Sequence, residues 1–326
     1  MMRALVSTQE GKKVLSQLME VQRPTCRPSQ VLIRTEFSSI NYKDALAVTG
    51  SGLIFKKFPI IGGIDTAGVV CESQSTKFKV GDLVLVTGCG LGETHDGGFA
   101  EYVLENEENV IALPDGLSLK EAMILGTAGF TAALALERMI NNGQTPQMGP
   151  ILVTGASGGV GQFATSIFSK AGFSVIAASS KTAAFPRLKE LGAESVSNLE
   201  ELCLEEKPLA SIRFGGAVDN VGGGLLAKIL SHTALWGNVA SIGLTGGHSL
   251  NSTVMPHILR GVSLLGISSN NTPRPLREKI WAKLSKALKP PELDSFVYKT
   301  IGLEEINTAA QGLLQRQVMG RILVKI

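Results

Sequence analysis

The first chemistry in the chain lies in Gly155-Ala156-Ser157-Gly158-Gly159-Val160-Gly161. A turn this rich in glycine lets the backbone approach a pyrophosphate, and the free N–H groups and positive end of a following helix then meet the phosphates. Against the usual G-x-G-x-x-G spacing, Ala156 stands at the first position, ahead of Gly158 and Gly161. A tight strand-to-helix turn with no ligand has the same signature, so the flanks decide. Before the turn, Ile151-Leu152-Val153 reads as a buried strand. After it, Phe163, Ala164, Ile167, Phe168 and Ala171 recur at helical spacing, and Gly172 ends the helix. Val175-Ile176-Ala177-Ala178 then forms a second buried strand. A strand–turn–helix–strand unit of about 30 residues is half of a dinucleotide-binding fold.

The end of that second strand selects the nucleotide. An Asp or Glu there would accept the adenosine ribose 2′-hydroxyl. This chain has Ser179-Ser180-Lys181 instead. Hydroxyls and an ammonium suit a 2′-phosphate, so NADPH is expected over NADH.

Tyr42, in Asn41-Tyr42-Lys43-Asp44, is the candidate for the reaction itself. A phenol can donate to a carbonyl that gathers negative charge as hydride arrives, or give up its proton. A half-buried tyrosine with its hydroxyl bonded to backbone is the structural alternative, and the residue types leave both open.

A metal centre is not expected. Catalytic zinc needs Cys, His or carboxylate ligands that converge, and structural zinc about four closely spaced cysteines. Cys26, Cys71, Cys89 and Cys203 are far apart and form no CxxC pair. Glu93-Thr94-His95-Asp96 is the only local cluster of ligand types and reads as a polar glycine-flanked loop in preference to a metal site, while His232, His248 and His257 are isolated.

Two domains must position these residues, because 326 residues exceed one small core. The chain is 44% hydrophobic and 18% charged, a well-buried composition. A net charge of +3 without a basic block leaves no footprint for nucleic acid. No apolar run reads as a membrane helix, and MMRALVSTQEGKKV has no secretory core; with the scattered thiols this points to a cytoplasmic enzyme.

Residues 1 to about 115 read as short strands, among them Val31 to Thr35 and Leu83 to Val86, with dense glycines. Ser118 and Glu121 form a capping box ahead of a helix that Gly126 and Gly129 interrupt and that resumes over Thr131 to Ile140; the domain junction belongs there. Strand candidates Ala217 to Val221, Asn238 to Gly243 and Val262 to Gly266 extend the parallel sheet to roughly six strands. Prolines 273, 275, 290 and 291 bracket a helix around Lys279 to Leu288, and Arg321 to Ile326 is a strand returning to the first domain. The fold expected is α/β: a Rossmann parallel-sheet NADP-binding domain over 125–297 and a β-rich catalytic domain from 1–124 and 298–326.

Further motifs in order are Gly63-Ile64-Asp65-Thr66-Ala67-Gly68, Gly92 to Gly98, Gly126-Thr127-Ala128-Gly129-Phe130-Thr131 and Val254-Met255-Pro256-His257-Ile258-Leu259-Arg260. Together with Asn41 to Ala45 and the glycine turn, they resemble the medium-chain dehydrogenase/reductase superfamily over essentially the whole chain. The resemblance is nearest to its zinc-independent bacterial acrylyl-CoA reductases, often labelled quinone oxidoreductases. It implies a GroES-like fold for the β-rich domain, a homodimer, and a zinc-free NADPH enzyme that reduces an activated carbon–carbon double bond, acryloyl-CoA to propanoyl-CoA being the type reaction. By matching motif, Tyr42 would lie beside the nicotinamide, Ser157, Gly158, Gly159 and Val160 would hold the pyrophosphate, and Ser179, Ser180 and Lys181 the 2′-phosphate. Leu244, Ile258 and Ser269 would line the nicotinamide end.

This chain departs from the family's Ser-Gly-Arg at Ser179-Ser180-Lys181, and has Ser195 where the family places an arginine. Lysine keeps the charge but not the bidentate fork. The alternatives are quinone or free-enone reduction and, in another class, an NADPH-binding protein without turnover.

Overall fold

The computed structural model describes residues 1–326. The chain opens with a hairpin of β1 (Met2–Glu10) and β2 (Lys13–Val21), turned by Gly11 at φ 60°. Next come β3 (Gln30–Ile40), the short helix α1 (Tyr42–Val48), β4 (Ile60–Ile61), β5 (Asp65–Ser73), β6 (Leu83–Thr87), β7 (Tyr102–Asn106) and β8 (Ile111–Ala112). Helix α2 (Leu119–Asn141) begins at the expected box: Ser118 N donates to Glu121 Oε2 at 2.9 Å and Glu121 N to Ser118 Oγ at 3.2 Å. Of the two glycines expected to break it, only Gly126 does, at φ 48° and ψ −154°. By length and composition α2 could cross a membrane, but 83% of its apolar window is buried inside the fold, which makes it a core helix.

The glycine turn lies between β9 (Ile151–Val153) and α3 (Gly159–Lys170), followed by β10 (Val175–Ala178), α4 (Phe185–Glu190) and β11 (Ser195–Ser197). Then come β12 (Phe214–Asp219), α5 (Gly223–His232), β13 (Thr233–Ser241), α6 (Met255–Arg260) and β14 (Ser263–Gly266). The chain ends with α7 (Arg274–Leu284), β15 (Val297–Ile301), α8 (Ile306–Leu314) and β16 (Arg321–Lys325). Helix α7 starts earlier than its spacing suggested because Pro275 sits in its first turn, where a missing N–H costs nothing.

The chain divides into two compact units. The first comprises Met1–Thr127, Ser269–Lys286 and Pro291–Ile326; the second comprises Ala128–Ser268 and Ala287–Pro290. The expected boundaries differ from this chiefly in residues 269–286. That segment joins the first unit because buried Arg277 donates to Thr87 O at 2.5 Å and Ser269 O at 3.0 Å, and Arg274 donates to Glu107 O and Val110 O at 2.9 Å. Their guanidinium groups thus satisfy carbonyls that would otherwise be stranded.

In the first unit, a three-stranded sheet β2-β1-β4 accompanies a seven-stranded sheet, β15-β16-β3-β5-β6-β8 with β7 also paired to β3. β16 runs antiparallel to β3, so the last residues return to the first domain as expected. Its core joins Leu5, Ile40, Val48 and Phe99 to Ile306, Ile322 and Val324, the two ends of the chain packing into one apolar cluster.

The second unit is a six-stranded sheet, parallel throughout, in the order β11-β10-β9-β12-β13-β14. β9 and β12 are buried along their whole length, as central strands covered by helices on both faces must be. Strand order reverses between these two, which places a ligand crevice at their carboxyl ends.

Candidate active site

At that crevice Gly155 adopts φ 57°, a conformation that favours glycine. A Cβ on Gly161 would stand 2.3 Å from Gly155 O and 2.6 Å from Ala156 Cα, so α3 can pack onto the turn only with glycine there. Gly158 is different. A Cβ there would meet nothing nearer than Gly155 O at 3.4 Å, so the open space above it is left free for something outside the chain. Ala156 takes the fingerprint's first position without strain: it is fully buried, its N–H bonded to Ala178 O at 3.0 Å.

No side chain caps α3, and the first-turn N–H groups of a helix have no carbonyl of their own helix to bond. Gly158, Gly159 and Val160 therefore offer a partly open cradle with a positive helix end. Ser157 and Ser179 are buried and joined through their hydroxyls at 2.9 Å, and Lys181 N donates to Ser179 Oγ at 3.1 Å. This ties the turn to the end of β10 and leaves Ser180 exposed. No carboxylate stands in Ser179-Ser180-Lys181, and the set fits a phosphorylated dinucleotide.

Leu244 follows β13, close to Gly222, while Ile258 projects from α6 with 72% of its surface exposed. Ser269 belongs to the first unit, where its carbonyl accepts from Arg277.

In the first unit, Tyr42 opens α1 with 38% of its surface exposed, and its hydroxyl bonds to nothing in the chain. The phenol is thus not consumed by backbone. Below it is a buried cluster that the sequence reading passed over. Asp44, in the third position of α1, accepts Asn41 N at 2.8 Å and Ile64 N at 2.9 Å. Asp65 accepts Ser39 Oγ, Asn41 Nδ2, Thr127 N and Thr127 Oγ1 at 2.6–3.0 Å.

Arg321 completes the cluster from β16. It donates to Ile124 O at 3.0 Å, Asn41 Oδ1 at 3.0 Å and Ser39 Oγ at 2.6 Å, and lies 3.7 Å from Asp65. Burial, with the Asp65 carboxylate second, pushes the Asp44 carboxyl up to about 7 against the pull of its N–H donors. A Cβ on Gly126 would stand 2.6 Å from Asp65 Oδ2, so the kink in α2 exists to admit this cluster. The available signals were the Asn41…Asp44 capping spacing and the charges of Asp65 and Arg321 in otherwise apolar strands.

The loop of ligand types is committed elsewhere. Lys43 pairs with Glu93 at 3.0 Å, and His95 Nε2 lies 2.7 Å from buried Glu105. Burial lowers His95, but the Glu105 hydrogen bond and charge together outweigh it and raise the imidazole above its usual value.

A family model described as an alcohol dehydrogenase GroES-like domain matches residues 27–115, and one described as a zinc-binding dehydrogenase matches 159–286. Zinc does not fit the donors present. No three His, Cys, Asp or Glu side chains come together to hold a metal ion, and His95 is engaged by Glu105.

The chain is 42% identical over 325 residues to the Escherichia coli probable acrylyl-CoA reductase AcuI, covering 100% of both. It is 45% identical over 297 residues to the Bacillus subtilis protein named "Putative quinone oxidoreductase YhfP", covering 91% of this chain and 90% of that one. A YhfP crystal structure with NAD bound aligns at TM-score 0.95 and 42% identity, over 100% of this chain and 99% of that one. The yhdH oxidoreductase from Salmonella enterica in complex with NADP aligns at TM-score 0.95 and 42% identity over 100% of both. The chain belongs to the zinc-independent medium-chain dehydrogenase/reductase family, among its acrylyl-CoA reductase and quinone oxidoreductase members.

Proposed function

We propose that this chain is an NADPH-dependent, zinc-independent reductase of activated carbon–carbon double bonds, with acryloyl-CoA or a related short enoyl thioester as substrate. The observation that carries the reading is the uncapped α3 cradle beside a β10 terminus without a carboxylate. The names of relatives at 42% and 36% identity support the enoyl thioester. Ser157, Gly158, Gly159 and Val160 hold the pyrophosphate and Ser179, Ser180 and Lys181 the 2′-phosphate, while Leu244, Ile258 and Ser269 face the redox end.

When bound, NADPH supplies a hydride to the substrate's β-carbon. The Tyr42 phenol, free of internal partners, donates a hydrogen bond to the carbonyl oxygen on which negative charge gathers, and water then supplies the proton that bonds to the α-carbon. The test is an NADPH-oxidation screen across enoyl-CoA esters, free enones and quinones. Steady turnover of acryloyl-CoA is expected, and binding of NADPH without turnover of any acceptor refutes the reading.

The name and 45% identity of YhfP favour quinone reduction as the second reading; turnover of quinones with none of enoyl esters would select it. The proposed enzyme is a cytoplasmic homodimer. β14 ends the parallel sheet with one edge unpaired, and Leu264 on it is partly exposed, as is expected of a strand that pairs with a second copy. Light scattering should give twice the 34.4 kDa of one chain; a monomer at micromolar concentration contradicts it.

A further inference from the structure

Asn220 follows β12 at the carboxyl end of the parallel sheet, opposite Thr154 at the end of β9. These are the two strands between which strand order reverses. Three bonds hold Asn220 still. Its backbone N–H donates to Thr154 Oγ1 at 3.0 Å, its Nδ2 to Thr154 O at 2.8 Å, and its carbonyl accepts Thr245 Oγ1 at 3.4 Å. Thr154 Oγ1 in turn donates to Asp219 Oδ1 at 2.6 Å, which fixes its direction.

The side-chain amide has one usable orientation, because turning it over would set Oδ1 against the Thr154 carbonyl oxygen. Oδ1 is therefore left buried with no donor from the chain. Native structures rarely leave a buried acceptor unpaired, so this one is completed from outside the chain, by water or by a ligand's donor. The backbone around it is pared to glycine: a Cβ on Gly155 would stand 3.3 Å from Asn220 Cβ, and one on Gly243 would stand 2.0 Å from Asn220 O.

On the dinucleotide reading given above, the adenosine half lies over β10 and the pyrophosphate at α3, above β9. The redox half then continues over β12, where Asn220 stands. The first hydrogen-bond donors beyond the pyrophosphate are the hydroxyls of the nicotinamide ribose. We infer that Asn220 Oδ1 accepts a hydrogen bond from one of these hydroxyls, so that Asn220 fixes the redox half of NADPH at the switch point of the sheet.

The test is calorimetric binding of NADPH, 2′-phospho-ADP-ribose and 2′,5′-ADP to wild type, Asn220→Ala and Asn220→Ser. The serine is too short to reach Thr154 O or to present an acceptor where Oδ1 stands, but it keeps a polar side chain that suits the turn, so it covers a failure of the alanine variant to fold; melting midpoints monitor both. The inference expects about five- to tenfold weaker NADPH and 2′-phospho-ADP-ribose, with 2′,5′-ADP unchanged, because that fragment lacks the second ribose. Unchanged affinity for all three overturns it. Equal weakening of all three also overturns it, since Asn220 would then only shape the turn. Loss for NADPH alone overturns it in favour of the nicotinamide amide. Wild type that binds no NADPH sinks the dinucleotide reading and this inference with it, whereas normal wild-type binding with unaffected variants sinks the Asn220 assignment alone.

Discussion

Tyr42 holds a phenol with no internal partner on the first turn of a helix whose base is a buried carboxyl cluster. If that hydroxyl bears transition-state charge, Tyr42→Phe lowers turnover and leaves NADPH affinity nearly unchanged. Loss of one such donor costs about 10²–10³-fold in oxyanion-hole systems, and the lower end is expected here. Unaltered turnover in the Phe variant removes Tyr42 from the reaction and leaves its ring as a packing surface. Beneath it, burial pushes the Asp44 carboxyl up to about 7 in the folded chain, against 3.8 for an ordinary aspartate. Between those values the folded chain holds a proton that the unfolded chain releases. This carboxyl's contribution is therefore fully present below about pH 4, falls as pH rises, and is lost above about pH 7. The shift corresponds to a stabilisation on the order of 4 kcal/mol at the acid end. Denaturation midpoints of wild type and Asp44→Asn, measured from pH 4 to 8, should show a difference that moves against wild type as pH rises to about 7 and then flattens. A constant difference across the range contradicts a titrating Asp44.

The α3 turn is the element on which cofactor choice depends, and it was legible because its signals are local. Strand, glycines, helix and second strand all fall between Ile151 and Ala178, each announced by its own spacing. Helix α1 was not legible, since seven residues are too few to establish a helical period among strands. Residues 269–286 were assigned to the nucleotide unit because sequence order suggested it; the carbonyls bonded by Arg274 and Arg277 determine otherwise. At the end of β10, Ser179 Oγ is bonded to Ser157 Oγ and Lys181 N, and on the proposed reading exposed Ser180 and Lys181 contact the 2′-phosphate. NADPH should therefore exceed NADH in kcat/KM. Lys181→Ala should narrow the gap mainly through the NADPH Michaelis constant, because the phosphate is remote from the reacting carbon. A Lys181→Ala enzyme that keeps its full preference would move the discrimination to other residues.

Across the whole molecule, the buried cluster of the first unit is assembled from segments that no sequence window contains. Ser39 and Asn41 leave β3, Asp65 opens β5, Thr127 follows the kink in α2, and Arg321 arrives on β16, 282 positions from its partner Ser39. A charge in an apolar strand announces that it needs partners without naming them, so the cluster was unreadable until the fold brought its members together. Arg321 is the member whose loss should be most costly. Its guanidinium serves Ile124 O, Asn41 Oδ1 and Ser39 Oγ in different directions and is the nearest buried cation to Asp65. Arg321→Met keeps the volume but strands those acceptors and takes the nearest cation from Asp65. Removing one partner of a buried ionic set costs about 3–5 kcal/mol, which for a chain of this size lowers the unfolding midpoint by roughly 4–7 °C. Arg321→Lys restores the charge, but a single ammonium on a flexible stem cannot span the same acceptors, so it should recover only part of the loss. Differential scanning calorimetry of the three proteins gives the order directly: wild type highest, Lys intermediate, Met lowest. A Met variant that melts with wild type would mean that the cluster is not held together by the charge of Arg321.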